Sequence, residues 1–181
     1  MAGRPKPRHN VVQPINANYR LIPLTRNQNA IVDVEDFEWL SRWNWHAVWN
    51  ACTKSFYATR SVNHNRAVKM HREILGFKFG DGKEGDHKNG DTLDNRRENL
   101  RLATRRQNAL NSRKPNKSGS INCTQAFARG KHYDRWRVRI TIRGRRKHLG
   151  YFSSKEEAAR IADAAARRHY GEFAVFNLQE N

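Results

Sequence analysis

Apolar and polar residues alternate strictly along Trp136-Arg137-Val138-Arg139-Ile140-Thr141-Ile142, the two-residue period of a strand with one buried and one exposed face. Trp136, Val138, Ile140 and Ile142 are expected to face a core, and Arg137, Arg139, Thr141 and Arg143 to face outward. Arg143-Gly144-Arg145 reads as a turn, and KHLGYF as the returning strand. Ser153 and Ser154 each stand three residues ahead of a glutamate, Glu156 and Glu157, which is a doubled capping-box pattern. The period then becomes helical, with Ala158, Ala162, Ala165 and Ala166 as a small-residue stripe that lets the helix lie close to a sheet. It is expected to run to about Tyr170 and to stop at Gly171.

The N-terminal part has shorter periods. YRLIPLT and NAIVDV read as two strands around Arg26–Asn29, VEDFEWLSRW as a short amphipathic helix, and WNWHAVWN with SFYATRSV as a strand pair joined by Cys52–Lys54. Trp39, Trp43, Trp45 and Trp49 are expected in the core, because a small domain needs large side chains to bury enough area. Lys69–Leu75 reads as a helix or a strand-to-helix turn under the next hairpin, and Gly76–Gly85 as a loop. Asp86 and His87 open a strand, Asn99 and Leu100 begin another (NLRLAT), and Thr104 is a candidate N-cap for a helix from Arg105 to about Asn111. Residues 1–18 hold three of the five prolines and no periodic pattern, and read as a flexible basic arm. Arg113–Gly119, polar, basic and broken by Pro and Gly, reads as a linker. The expected organisation is an arm (1–18), a first domain (19–112), the linker (113–119) and a second domain (120–177), of α+β class.

Charge narrows the partners. Lys and Arg total 35 against 17 Asp and Glu, a net +18, which favours a polyanion. Nucleic acid is expected rather than membrane, since no apolar run approaches the roughly 20 residues of a spanning helix. Cys52 and Cys123 are far apart with no CxxC, so neither a structural zinc of the four-cysteine kind nor a disulfide framework is expected. With no secretory pattern at the N-terminus, an intracellular setting is the expectation.

The chemistry-bearing stretch is Gly85–Asn111, GDHKNGDTLDNRRENLRLATRRQNALN. Phosphodiester hydrolysis needs a hard cation to neutralise charge on the phosphate oxygens. Mg²⁺ takes few protein ligands, all oxygens, and the Asp86 carboxylate and Asn108 amide fit that role. A neutral imidazole near pH 7 can accept the proton of the attacking water, which His87 would do, with Asn99 orienting it through its side-chain amide. Strand, loop, strand and helix would let Asp86 and Asn108 meet over His87.

DH, then N, then N at these intervals resembles the HNH motif of ββα-metal nucleases, in the variant where Asn replaces the last His. Phage and mobile-intron (homing) HNH endonucleases are the nearest kind, and MHR at Met70–Arg72 and LDNRRENLR at Leu93–Arg101 are also similar to that family. The resemblance implies Asp86 and Asn108 as metal ligands, His87 as general base and Asn99 as its positioning residue. Mg²⁺ is the implied metal, with Mn²⁺ as an alternative. Asn95 stands as a supporting residue; His71 stands as a contact to metal or phosphate, or as a support only.

RWRVRITI, KHLGYF, EEAARIADAAARRHYG and the closing Phe176-Asn177 resemble the ethylene-response-factor (Apetala-type) DNA-binding domain, over roughly Lys117 to Asn177. That family is a three-stranded antiparallel sheet packed on one helix, whose exposed face enters the major groove. The resemblance places Arg137, Arg139, Thr141, Arg146 and His148 near double-stranded DNA. SGSINCT lacks the family's first-strand arginines and His148 replaces a usual Trp, so the base preference does not carry over. The expected function is a metal-dependent DNA endonuclease with a C-terminal DNA-reading domain. The alternatives are a non-catalytic DNA-binding regulator on a degenerate HNH scaffold and, less favoured, an RNA-binding protein. Oligomeric state and target sequence are not legible.

Overall fold

The computed structural model describes residues 9–63, 66–111, 119–128 and 130–178. The chain forms two compact units, Met1–Arg105 and Arg106–Asn181. Most of the expected linker, residues 113–118, and the first eight residues of the expected arm lie outside the described residues. No described helix is long and apolar enough to cross a membrane.

In the first unit, β1 (Tyr19–Pro23) pairs antiparallel with β2 (Asn29–Asp33). Arg26 and Asn27 make the turn in left-handed backbone, at φ 59° and 54°. The amide of Gln13 is hydrogen-bonded to both the N–H and the carbonyl of Leu21, and His9 Nε2 lies 2.8 Å from Asn29 Oδ1. From His9 onward, therefore, the expected arm is tied to this hairpin. Helix α1 (Val34–Leu40) follows, and then a sheet of order β3-β4-β5 (His46–Asn50, Ser55–Asn63, Arg66–Lys69). Its third strand runs directly into α2 (Met70–Ile74), the strand-to-helix turn expected over Lys69–Leu75. The hairpin β6 (Glu84–His87) and β7 (Leu100–Ala103) completes the unit.

Its core gathers Ile22, Leu24, Val32, Leu40, Trp45, Ala58, Met70, Ile74 and Leu100. Trp45 is the one tryptophan sealed in it, at 1% exposure, its indole N–H donating to the Leu40 carbonyl. Trp43 and Trp49 are 37% and 47% exposed, against the expectation of four core tryptophans. They occupy the sheet's rim, where Trp43 carries the Arg60 guanidinium 4.1 Å from its ring centre and Trp49 meets Phe56 edge-on at 4.9 Å.

Helix α3 (Arg105–Asn111) begins directly after Thr104. It buries none of its residues, and from Arg106 onward it belongs to the second unit, so the division falls ahead of the linker expected from composition. In that unit β8 (Cys123–Ala128), β9 (Lys131–Ile142) and β10 (Arg145–Phe152) form an antiparallel sheet with β9 in the centre, and α4 (Lys155–Tyr170) packs on it. Cys123, Val138, Ala158 and Ala162 are buried between them. Ala166 and Ala159 join this face, while Ala165 is only half-buried. Ser154 caps α4 by accepting from the Glu157 N–H, 3.1 Å, and the helix ends on Gly171 at φ 56°. The terminal segment returns through buried Asp163, which accepts from the backbone N–H groups of Asn177 and Leu178 and from the Asn177 amide. That amide also pairs with the backbone of Ile121, so Asn177 joins helix to sheet.

Candidate functional site

Register decides what β6 presents. Asp86 lies opposite Arg101 and His87 opposite Leu100. Successive strand residues point to opposite faces, so Asp86 and His87 leave the hairpin on opposite sides. On the first side Arg101 Nε donates to Asp86 Oδ2 at 2.8 Å, and Nη2 lies 2.7 Å from the same oxygen. Both residues are buried. Composition alone did not pair them: the ion pair is set by a cross-strand register that no local pattern records.

On the other side His87 meets α2. The His71 and His87 rings are perpendicular, with centres 4.9 Å apart, and Tyr57 of β4 stands 5.9 and 6.2 Å from them. Gly85 makes this approach possible. It belongs to the strand rather than to the loop expected over Gly76–Gly85, and a Cβ there would sit 2.8 Å from His71 Cδ2 and 3.0 Å from Leu75 Cδ1. Gly85→Ala is therefore expected to cost about 1–3 kcal/mol through overpacking, read as a lower denaturation midpoint with an unchanged slope.

Burial disfavours the charged form of both imidazoles. Burial lowers His87 from its ordinary value, opposed by the Asn95 amide and by Asp86, Asp91 and Asp94. His71 is lowered further, by burial first and then by His87, Lys69 and Arg72.

The loop between the strands fixes these groups. Asn95 Oδ1 lies 3.5 Å from His87 Nε2, and its amide is oriented by donation to the Leu93 carbonyl at 2.9 Å. The Asn99 amide, expected to orient His87, is engaged instead with backbone: it accepts from Asn89 N–H at 3.0 Å and donates to the Asp94 carbonyl at 2.7 Å. Asn99 thus closes the loop, and the amide facing His87 is that of Asn95. Two anchors hold the loop to the rest of the unit. The Ile31 N–H donates to the Leu93 carbonyl at 2.9 Å and the Ile31 carbonyl accepts from the Asn95 N–H at 2.8 Å, and Arg97 pairs with buried Asp36 through Nε and Nη2, both at 2.8 Å. The LDNRRENLR run is legible in these terms, since Arg96 pairs with Asp94 as well. Arg72 of the MHR run binds the carbonyls of Lys78 and Lys83 and the Asp81 carboxylate, which organises the segment leading into β6.

Asn108 is half-buried on α3, in the second unit. Among the described residues, Asp33, Glu35 and Asp36 form a cluster of three carboxylates close enough to share an ion. Arg97 already bridges that group, its backbone N–H bonding Asp33 at 2.7 Å.

In the second unit, register pairs Arg137 with Tyr151, Arg139 with His148 and Thr141 with Arg146. All five residues expected near DNA therefore share one sheet face. Burial, then Arg137 and Arg146, pull Arg139 below the ordinary guanidinium value, as expected of like charges crowded on one surface.

No curated protein and no solved structure matches the chain. Residues 68–110 match the HNH endonuclease family model. That span contains His71, Asp86, His87, Asn95, Asn99 and Asn108, and it ends ahead of the C-terminal sheet.

Proposed function

We propose that the chain is a metal-dependent DNA endonuclease of the phage or homing HNH type, which cuts with the span matching the HNH family, residues 68–110, and binds the duplex with its C-terminal sheet. The observation that carries the reading is a buried His87 held between Asn95, His71 and Tyr57 inside the span that matches the HNH family. A neutral imidazole can take a proton from water near pH 7. Asn95 keeps its ring in place, and His71 and Tyr57 keep bulk water from it.

The donor set fits a hard cation with few protein ligands: one buried carboxylate, Asp86, and one amide oxygen, Asn108. The HNH resemblance implies Mg²⁺ on these donor types, and the ion would neutralise charge on the phosphate oxygens. On the binding side, Arg137, Arg139, Arg146 and His148 form a cationic face with Thr141 among them, and a two-stranded β-ribbon or wider sheet fits the major groove.

A nicking assay on supercoiled DNA tests the reading. Relaxed or linear product is expected with Mg²⁺ and none with EDTA. Binding should be steeply salt-dependent: about 6–10 phosphate contacts lose roughly 10³–10⁵ in affinity between 50 and 200 mM salt. A DNA shift without any cutting across a genomic library would refute the endonuclease. One observation favours a second reading, a non-cutting DNA-binding regulator on this scaffold: Asp86 is already neutralised by Arg101.

A further inference from the structure

One feature of the second unit goes beyond a cationic face for duplex DNA. Ala126, Phe127, Tyr133, Arg135 and Tyr151 line a cavity of about 430 Å³, within the size range of small-molecule sites. Phe127, Tyr133 and Tyr151 are each about half exposed, although large aromatic side chains in a small domain are usually drawn into the core. The register of β8 against β9 shifts between Gln125 and Phe127, and such bulges re-aim a side chain. Against two residues of β8 this irregularity sets four of β9, so Tyr133 and Arg135 lie in the bowed-out stretch just before Arg137 and Arg139, and the cavity stands beside the start of the arginine file. Tyr151 lies opposite Arg137 and meets His148 edge-on at 4.8 Å.

We propose that this cavity receives a single unpaired nucleobase of a DNA strand whose phosphates follow the Arg135–Arg139 file; the inference rests on the reading of this sheet as a DNA-binding face. The faces of paired bases are hidden in the stack, so half-exposed aromatic rings gain nothing from an intact duplex. An unpaired or extruded base offers a π-face to stack on them, and extrusion costs least where the base is already unpaired. The guanidinium of Arg135 adds a cation at the cavity wall, beside the like charges that the arginine file leaves for phosphate to balance. An apolar protein segment would leave that cation without an anion, which disfavours it as occupant.

The test uses the full chain in EDTA with three labelled DNAs of one sequence: a perfect duplex, the duplex with one bulged thymine, and the duplex with one bulged 2-aminopurine. Wild type is expected to bind the bulged duplexes about 5–100-fold more tightly than the perfect one, and to change the 2-aminopurine fluorescence on binding. Phe127→Ala and Tyr133→Ala should remove both the preference and the fluorescence change while perfect-duplex binding is unchanged. Tyr133→Phe should retain both. Equal binding of all three DNAs by wild type would overturn the base site and leave the DNA-binding face standing. Binding of none of them would overturn both. Alanine variants that weaken all three alike would make the aromatics structural, which also defeats the proposal.

Discussion

His87→Ala is expected to slow cleavage by about 10²–10⁴-fold, the usual worth of a positioned general base, while DNA affinity is retained. The separation follows from placement. His87 is buried on the side of β6 that faces α2, whereas the residues proposed to hold DNA lie on the second unit's sheet. Single-turnover cleavage beside a gel-shift titration reads both quantities, and a thermal melt controls for the space left between His71 and Tyr57. Lost binding together with lost cleavage would make His87 a packing residue. The pH dependence has a worked sign. Burial lowers His87 in the folded chain, so the base stays deprotonated at pH 7 and the acidic limb of cleavage should fall below the ordinary 6.5. His71 is lowered further. With the folded values below the unfolded one, the unfolded chain takes up protons first. Stability is therefore full above about 6.5 and is lost as pH falls towards the folded values. A cleavage limb centred above 6.5 would contradict this environment.

Local pattern carried much of the fold. The alternation of Trp136–Ile142, the serines before α4 and the glycine after it are short-range signals, and each element formed where its period and caps required. The Asp86-His87 strand and the helix after Thr104 were legible for the same reason. Distant partners were not. Asp86 meets Arg101 because β6 and β7 pair in one register, and a shift of one residue would have offered it a different neighbour. Asn95 and Asn99 share one loop and one side-chain chemistry. Which of them faces His87 is decided by Leu93 and Ile31, residues whose part depends on the β2 contact. Gly85 looked like the end of a glycine-rich loop, but the approach of His71, fourteen positions earlier in the chain, makes it a strand glycine. The tryptophans divided by geometry: Trp45 is sealed in the core and Trp39 packs against it, whereas Trp43 and Trp49 stay partly exposed.

Arg101→Leu is expected to destabilise the first unit by about 3–5 kcal/mol, because it takes the guanidinium away from a carboxylate that stays buried. For a unit of this size each kcal/mol lowers the melting temperature by about 4–8 °C, so a drop of roughly 12–40 °C should be seen in EDTA. The size of this effect comes from Asp86, whose oxygen Oδ2 has the guanidinium within 2.8 Å. Asp86→Asn combined with Arg101→Leu should therefore recover much of the loss, since the double variant buries no lone charge. The same pair of variants weighs the two functional readings. If Asp86 is a metal ligand, a divalent cation can replace the guanidinium, and Mg²⁺ should raise the melting temperature of Arg101→Leu more than that of wild type. It should leave the double variant unmoved. If Mg²⁺ raises the single variant no more than the double one, Asp86 is a structural carboxylate paired for stability. The first unit is then a scaffold rather than a catalyst, and the regulator reading replaces the endonuclease.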